Sequence, residues 1–404
     1  MQFKFTYRHT KYAAYLGYIS QAIVNNLAPL LFVSFQRELG LSLNKISLLI
    51  TVNFCVQILV DMISAKYIDR IGYRRATLLA HIAITLGMVG MGTLPFLVSP
   101  FAGLLTASII YAIGGGLTEV IISPIVEALP GDEKESAMSM LHSFYCWGQV
   151  AVVLLSTLYF QIIGMEYWRY LPFLWALLPA FNIFLFARVP IRTLNEDGGS
   201  VPVRKLFGVK LFWIFLLLMI CAGASELAMS QWSSFFAEEG LKVSKTLGDL
   251  LGPCAFALLM GLARTYYGIR GAGLNLQRTI LFSSVLCIFS YMTAVFVPHP
   301  VIALIGCALT GLSVGIMWPG TFSLASKYYP QGGTAMFAIL ALAGDVGCSS
   351  GPTLAGLMAD HTGDLHDGLL AAAAFPVLMI VGILLLKKEK EQTGIQVENQ
   401  AVRH

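Results

Sequence analysis

Charge is what this sequence has least of: Asp, Glu, Lys and Arg make up 12% of its 404 residues, about half the share of an ordinary soluble domain. That scarcity excludes a water-soluble globular chain, and a hydrophobic content of 57% places the protein in lipid. No Asn-x-Ser/Thr sequon occurs, which argues against a glycosylated cell surface and for a bacterial inner membrane. The seven cysteines all lie in apolar runs without CxxC spacing, so neither a disulfide framework nor a metal site is expected. The first apolar run lacks a small-residue cleavage pattern and is too long for a signal-peptide core, so it is retained as a helix.

What the chain does have is long apolar runs, at 12–35, 45–66, 75–97, 101–127, 135–163, 167–189, 209–237, 246–268, 277–297, 300–327, 333–358 and 367–387. Each is close to the ~20 residues needed to cross the hydrocarbon as a helix. The expectation is an all-α membrane protein of twelve transmembrane helices. An even number of spans puts both termini on one side. All but Arg37, Lys45, Arg169, Lys242 and Lys245 of the 26 Lys and Arg fall on that side, which makes it cytoplasmic. The net charge of +4 is thereby explained by topology, and no nucleic-acid partner is inferred.

The runs repeat. Asn25-Asn26-Leu27-Ala28 returns as Ser225-Glu226-Leu227-Ala228, and Gly40-Leu41 with Lys45 returns as Gly240-Leu241 with Lys245. Gly116-Leu117-Thr118 and Pro124 return as Gly311-Leu312-Ser313 and Pro319. Two pseudo-symmetric six-helix bundles follow, over 1–189 and 209–390, with a polar cytoplasmic linker at 190–208 and a disordered tail at 391–404. Internal duplication in a membrane is the pattern of a secondary transporter with its site between the halves.

Between the second and third runs stands Asp69-Arg70-Ile71-Gly72-Tyr73-Arg74-Arg75, which resembles the D-[RK]-x-G-x-[RK]-[RK] loop of the major facilitator superfamily. The resemblance implies the major facilitator fold and a conformational-gate role for Asp69, Arg70, Gly72, Arg74 and Arg75. Ala65 departs from the family's usual Gly, and the second-half equivalent, Arg264 to Arg270, has lost the Asp-Arg pair. A narrower likeness lies in Glu119-Val-Ile-Ile-Ser-Pro124 followed by Leu141-His142-Ser143-Phe144 and Gly148, which resembles the fucose permease branch. Asn25-Asn26-Leu27 is also similar to that branch's first helix, although Pro29 stands where some members carry Asp. The branch couples sugar uptake to protons through a Glu in the cavity, and the resemblance gives that role to Glu119.

Carboxylates in hydrocarbon are costly unless they face a cavity or take up a proton. Asp61, Glu119, Glu226 and Asp345 lie deep in spans, and no Lys or Arg is read as doing so. Glu119, Glu226 and Asp345 are candidate proton-coupling groups, and Asp61 is a candidate gate. Glu226 occupies the repeat position of Asn26, so both are expected to face one cavity. Gln21, Asn25, Asn26, Glu119, His142, Gln149, Glu226, Gln231, Trp232 and Trp318 complete a candidate sugar-sized pocket of amides, acids and aromatic faces.

Two patterns are set aside. Gly311-Leu-Ser313-Val-Gly315 matches a hydrolase elbow but lies inside a helix, so no enzyme is expected. The run Asp360 to Asp367 reads as a solvated acidic loop. The overall expectation is a monomeric symporter for a sugar or similar polar solute, driven by protons and needing no cofactor. A proton-driven exporter of drugs or metabolites is the alternative, and a non-transporting receptor a remote one. The absence of Pro after Gly148-Gln149-Val150-Ala151 favours uptake.

Overall fold

In a computed structural model, residues 5–130, 134–192, 203–270, 275–329 and 333–401 are described. They are almost wholly helical, with no strand among the described residues, as lipid requires when every backbone N–H and C=O must be satisfied within its own segment.

Twelve long helices carry the fold. In the first half they are α1 (Tyr7–Arg37), α2 (Leu43–Ile71), α3 (Tyr73–Leu97), α4 (Pro100–Glu127), α5 (Lys134–Ile163) and α6 (Met165–Arg188). The second half holds α7 (Lys210–Gly240), α8 (Lys245–Tyr267), α9 (Leu276–Phe296), α10 (Pro300–Ala325), α11 (Gly333–Thr362) and α12 (Leu365–Lys388). Eleven are apolar enough to cross a membrane by length and composition. The remaining one, α11, is long enough, but its middle from Gly344 to Thr353 is rich in Gly and Ser. That stretch packs on α7 instead of lipid, with Gly347 and Gly351 against the α7 backbone and the Gly344 carbonyl against Gly223, as small residues allow in membrane bundles. Of the expected linker, 193–202 lies outside the described residues. The last helical backbone continues to Ala401, where the sequence leads one to expect disorder from 391; the run Lys387 to Gln392 is made of good helix formers.

Several helices are interrupted among the described residues, three of them as follows. Pro29 cannot donate into an α-ladder, and α1 tightens to a 3-10 turn over Ala28–Leu31. A wide turn at Leu250–Cys254 holds Pro253 in α8. The third break parts α10 between Val314 and Met317.

The internal repeat reappears as equivalent packing. Gly116 of α4 lies against the α2 backbone at Gln57, and Gly311 of α10 lies against the α8 backbone at Phe256; in both, an added Cβ would meet a carbonyl oxygen. The halves meet chiefly along two seams, α2 with α11 and α5 with α8, with a smaller contact between α1 and α7.

Gly72, at the start of α3, has φ +82°, a left-handed conformation that a side chain disfavours. Two residues on, the Arg74 guanidinium donates to the carbonyls of Phe186, Ala187 and Val189, at 2.8, 2.9 and 2.8 Å. These are orphan acceptors at the negative end of α6, so the loop's basic residue is a helix cap. Arg75 is exposed, and the side chains of Asp69 and Arg70 lie outside the described residues.

Candidate functional site

Hydrogen bonds join the halves toward the end opposite the loop motif. Along the α2–α11 seam, the Asn44 N–H donates to Asp360 (3.2 Å), Thr51 bonds Thr353, and Cys55 Sγ meets Ser349 Oγ at 3.6 Å. Gly356 admits Ser47 to the same line. Between α1 and α7, Gln231 donates to the Asn25 carbonyl (2.8 Å) and Arg37 pairs with Glu239. From α5, Gln149 donates to Ser230 (3.1 Å), Thr157 to Asp249 (3.3 Å) and Gln161 to Thr246. Asp249 is fully buried and compensated by Lys245, whose Nζ lies 2.9 Å from Asp249 Oδ1, 3.0 Å from Glu238 and 2.7 Å from Ser234.

On the loop-motif side of these bonds lies a cavity of about 380 Å³. From the first half it is lined by Tyr18, Gln21 and Asn25 of α1, Phe54 and Gln57 of α2, Glu119 of α4, and His142, Ser143 and Tyr145 of α5. The second half contributes Glu226 and Leu227 of α7, Arg264 and Tyr267 of α8, Trp318, Pro319 and Phe322 of α10, and Asp345 and Cys348 of α11. Glu119 and His142 are exposed although they sit within membrane helices, so the cavity admits water-sized molecules to both.

One wall is an amide relay. The Gln21 amide donates to Gln57 Oε1 (2.8 Å) and reaches Glu119 Oε2 at 3.4 Å, while Gln57 donates to Asn25 Oδ1 (3.0 Å) and Asn25 reaches the Tyr145 hydroxyl at 3.4 Å. A Cβ at Gly115 would lie 3.0 Å from Gln21 Oε1 and 3.2 Å from Gln57 Oε1, so the glycine gives these amides room. Gln21 Oε1 itself is buried without a donor. His142 meets the Tyr18 ring edge-on at 5.3 Å, and the Tyr18 hydroxyl bonds Ser123 at 2.8 Å.

The opposite wall holds an ion pair that the sequence did not lead us to expect. Arg264 NH2 lies 2.9 Å from Glu226 Oε2, and NH1 lies 3.6 Å from Cys146 Sγ across the α5–α8 seam. Assigning Arg264 to a cytoplasmic loop is therefore corrected: a cation does lie deep in a span, and it neutralises Glu226. The available signal was its position inside the 246–268 run. Gln57 was also missed, although Asn53, Gln57 and Asp61 recur at four-residue steps on one face of α2.

The structure brings together Gln21, Asn25, Glu119, His142, Glu226, Trp318 and Asp345 as cavity lining. Four other residues expected in the pocket are placed elsewhere. Asn26 turns back to its own helix, donating to the Ala22 carbonyl at 2.9 Å, so it does not share the cavity position expected from Glu226. Gln149 and Gln231 join the halves, and the fully buried Trp232 donates to the Pro352 carbonyl at 2.9 Å, tying α7 to α11. Gln149 and Gln231 lie where the halves touch, and contact leaves no room for solute. Asp61 is on α2 beside Gly116, one layer behind the lining, with Oδ1 buried and without a hydrogen-bond partner. Among the described residues, no Lys or Arg pairs with Asp61, Glu119 or Asp345.

Twelve long helices in two packed halves with a largely apolar cavity between them, studded with acids and amides, are the architecture of a multi-pass membrane transporter. The profile of the Major Facilitator Superfamily matches residues 14–352, and the chain belongs to that family. No curated protein sequence matches it. Among solved structures, a D-xylose-proton symporter is similar with a TM-score of 0.76 at 15% identity, covering 94% of this chain and 96% of that one. The nucleoside transporter NupG gives 0.75 at 13% identity, covering 94% and 99%. The E. coli fucose:proton symporter FucP gives 0.64 at 14% identity, covering 93% and 98%. At these identities the likeness is one of fold.

Proposed function

We propose that this protein is a proton-coupled symporter for a sugar or a similarly sized neutral polar solute, working as a monomer in a bacterial inner membrane. Both termini lie in the cytoplasm, so the halves are joined on the outer side and the cavity faces inward. The observation that carries the reading is the pairing pattern within one cavity. Glu226 is neutralised by Arg264, whereas Glu119 is exposed to the cavity and, among the described residues, is met by a long amide contact from Gln21. A carboxyl in that setting can change its protonation without breaking an ion pair. The amide relay and the Trp318 face suit hydroxyls and the apolar side of a ring. Glu226 and Arg264 act on the solute side, and the 69–75 loop acts on the conformational switch.

Uptake into proteoliposomes of a panel of labelled pentoses, hexoses and nucleosides, with and without an inward proton gradient, tests this. Accumulation of at least one solute only when the gradient is present is expected. Accumulation indifferent to the gradient would remove proton coupling, and outward movement driven by an inward gradient would make the protein an exporter.

A further inference from the structure

Much of the cavity wall is ring face. Tyr18 and Tyr267 bond their hydroxyls within their own halves, to Ser123 at 2.8 Å and to Ser323 at 2.7 Å, so each offers the cavity its ring. Phe54 and Phe322 add two more apolar faces. Trp318 is placed by a glycine: a Cβ at Gly344 would lie 2.2 to 2.9 Å from three atoms of the six-membered indole ring, so the ring edge takes the space of a side chain on α11. The next residue along α11 is Asp345, half-buried and also lining the cavity. An indole and a carboxylate therefore stand side by side where α10 meets α11.

The polar part of the wall has acceptors to spare and its donors are spent. Glu119, which as a carboxylate only accepts, sets the direction of the amide relay. Turning the Gln21 amide over would bring its oxygen against both Gln57 Oε1 and Glu119 Oε2. In the direction so fixed, the amide nitrogens of Gln21, Asn25, Asn53 and Gln57 each have an acceptor. Oε1 of Gln21, a residue 3% exposed, and Oδ1 of Asn53 have no donor. Charge is unbalanced in the same sense: Glu119, Glu226 and Asp345 face the cavity with Arg264, and Arg264 is held by Glu226 at 2.9 Å. A proton on Glu119, as in the symport reading, still leaves Asp345 without a counter-charge, which is costly at membrane depth. An ammonium group supplies what is missing, a positive charge and three N–H donors. The indole face attracts the same charge through its ring quadrupole.

We infer that the cavity also binds a solute carrying one protonated amine on a body the size of a single ring, with the ammonium held by Asp345 beside Trp318 and the body against the ring faces. Two kinds of molecule share this chemistry, an arylalkylamine and an amino sugar. The inference goes beyond the neutral-solute reading, rests only on the cavity being the solute site, and is independent of proton coupling.

The test is equilibrium binding to the full-length protein in lipid nanodiscs near neutral pH, without a gradient, of two probe pairs that differ in charge: phenethylamine against phenylethanol, and glucosamine against glucose. At least one amine should bind roughly tenfold more tightly than its neutral counterpart, and the pair that shows the preference identifies the body. Asp345→Asn should bring amine and counterpart to within about twofold of each other, and Asp345→Glu should keep most of the preference. Should Asp345→Asn not fold, Trp318→Leu is the second variant, and it must weaken the amine more than the neutral probe. Amines that bind no better than their counterparts in wild type overturn the proposal, as does a preference that survives in Asp345→Asn, or equal weakening of both probes in Trp318→Leu. Gradient-driven uptake of a neutral solute needs no ammonium, so the amine site can fail while the symport reading stands, and gradient-driven uptake can fail while amine binding holds.

Discussion

Glu119 and Glu226 face one cavity from opposite halves of a duplicated fold, and the protein handles them in opposite ways. Glu226 has a guanidinium at 2.9 Å and is nearly buried. Glu119 has one long amide contact and open space in front of it. Their repeat positions hold Asn26 and Val314, so neither acid is a copied feature. Duplication preserved the backbone, seen in the equivalent packing of Gly116 and Gly311, and left the polar chemistry free to diverge. In the proposed reading, the symmetric scaffold with its asymmetric charge pattern gives the proton to one half and the solute to the other.

The sharpest way to break the comparison is Glu119→Gln, which removes titration while keeping shape and hydrogen-bonding capacity. Gradient-driven accumulation should be abolished and exchange between solute-loaded vesicles retained, since exchange need not complete a proton cycle. Wild-type accumulation in this variant would move coupling to Asp345 or Glu226, and loss of both activities would make Glu119 a solute ligand.

On the other wall, Arg264→Met strands the Glu226 carboxylate and should cost about 3–5 kcal/mol of stability, visible as a lower unfolding temperature in detergent. Adding Glu226→Gln should recover most of that loss. If the double variant is no more stable than the single, the two side chains are not energetically coupled and the contrast with Glu119 loses its basis.

The loop motif gives a smaller effect away from the cavity. Arg74→Ala uncaps the end of α6 and should cost about 1–3 kcal/mol, and Asp69→Asn or Arg70→Ala should slow turnover. Equilibrium solute affinity should stay within a few-fold in all three, because the substitutions act on the switch and not the site. Lost affinity with turnover intact would contradict this.

Smallest is the cap of α12, outside the membrane core. Asp364 accepts from the His366 N–H at 2.8 Å and from its imidazole at 2.7 Å. The backbone bond first, and then the side-chain bond and charge of His366, hold the carboxyl below the usual carboxylate range. A depressed folded pKa contributes stability above the ordinary carboxylate value, lost as pH falls through the lower folded one. Asp364→Ala should therefore cost about 0.5–1 kcal/mol near neutral pH and nothing in acid. An equal cost at low pH would show that the bond does not depend on charge.

Apolar run length, repeat offsets and the 69–75 loop made the twelve helices and their two-half arrangement legible in the sequence by itself. Each is a local property: hydrocarbon thickness sets span length, and backbone satisfaction sets helix. Gly72 of the loop motif stands at a left-handed turn, whereas Pro29, read from the sequence only as a departure from the branch, proves to mark the tightening of α1. What only tertiary structure decided is which polar side chains share space. Asn25 and Asn26 are adjacent in sequence, yet one lines the cavity and the other bonds its own helix, because neighbouring residues on a helix point about 100° apart. Arg264 is at a span's end by counting and inside the cavity by packing. Its partner Glu226 lies on α7, 38 residues earlier, and only the packing of α7 against α8 offsets the free-energy cost of burying either charge.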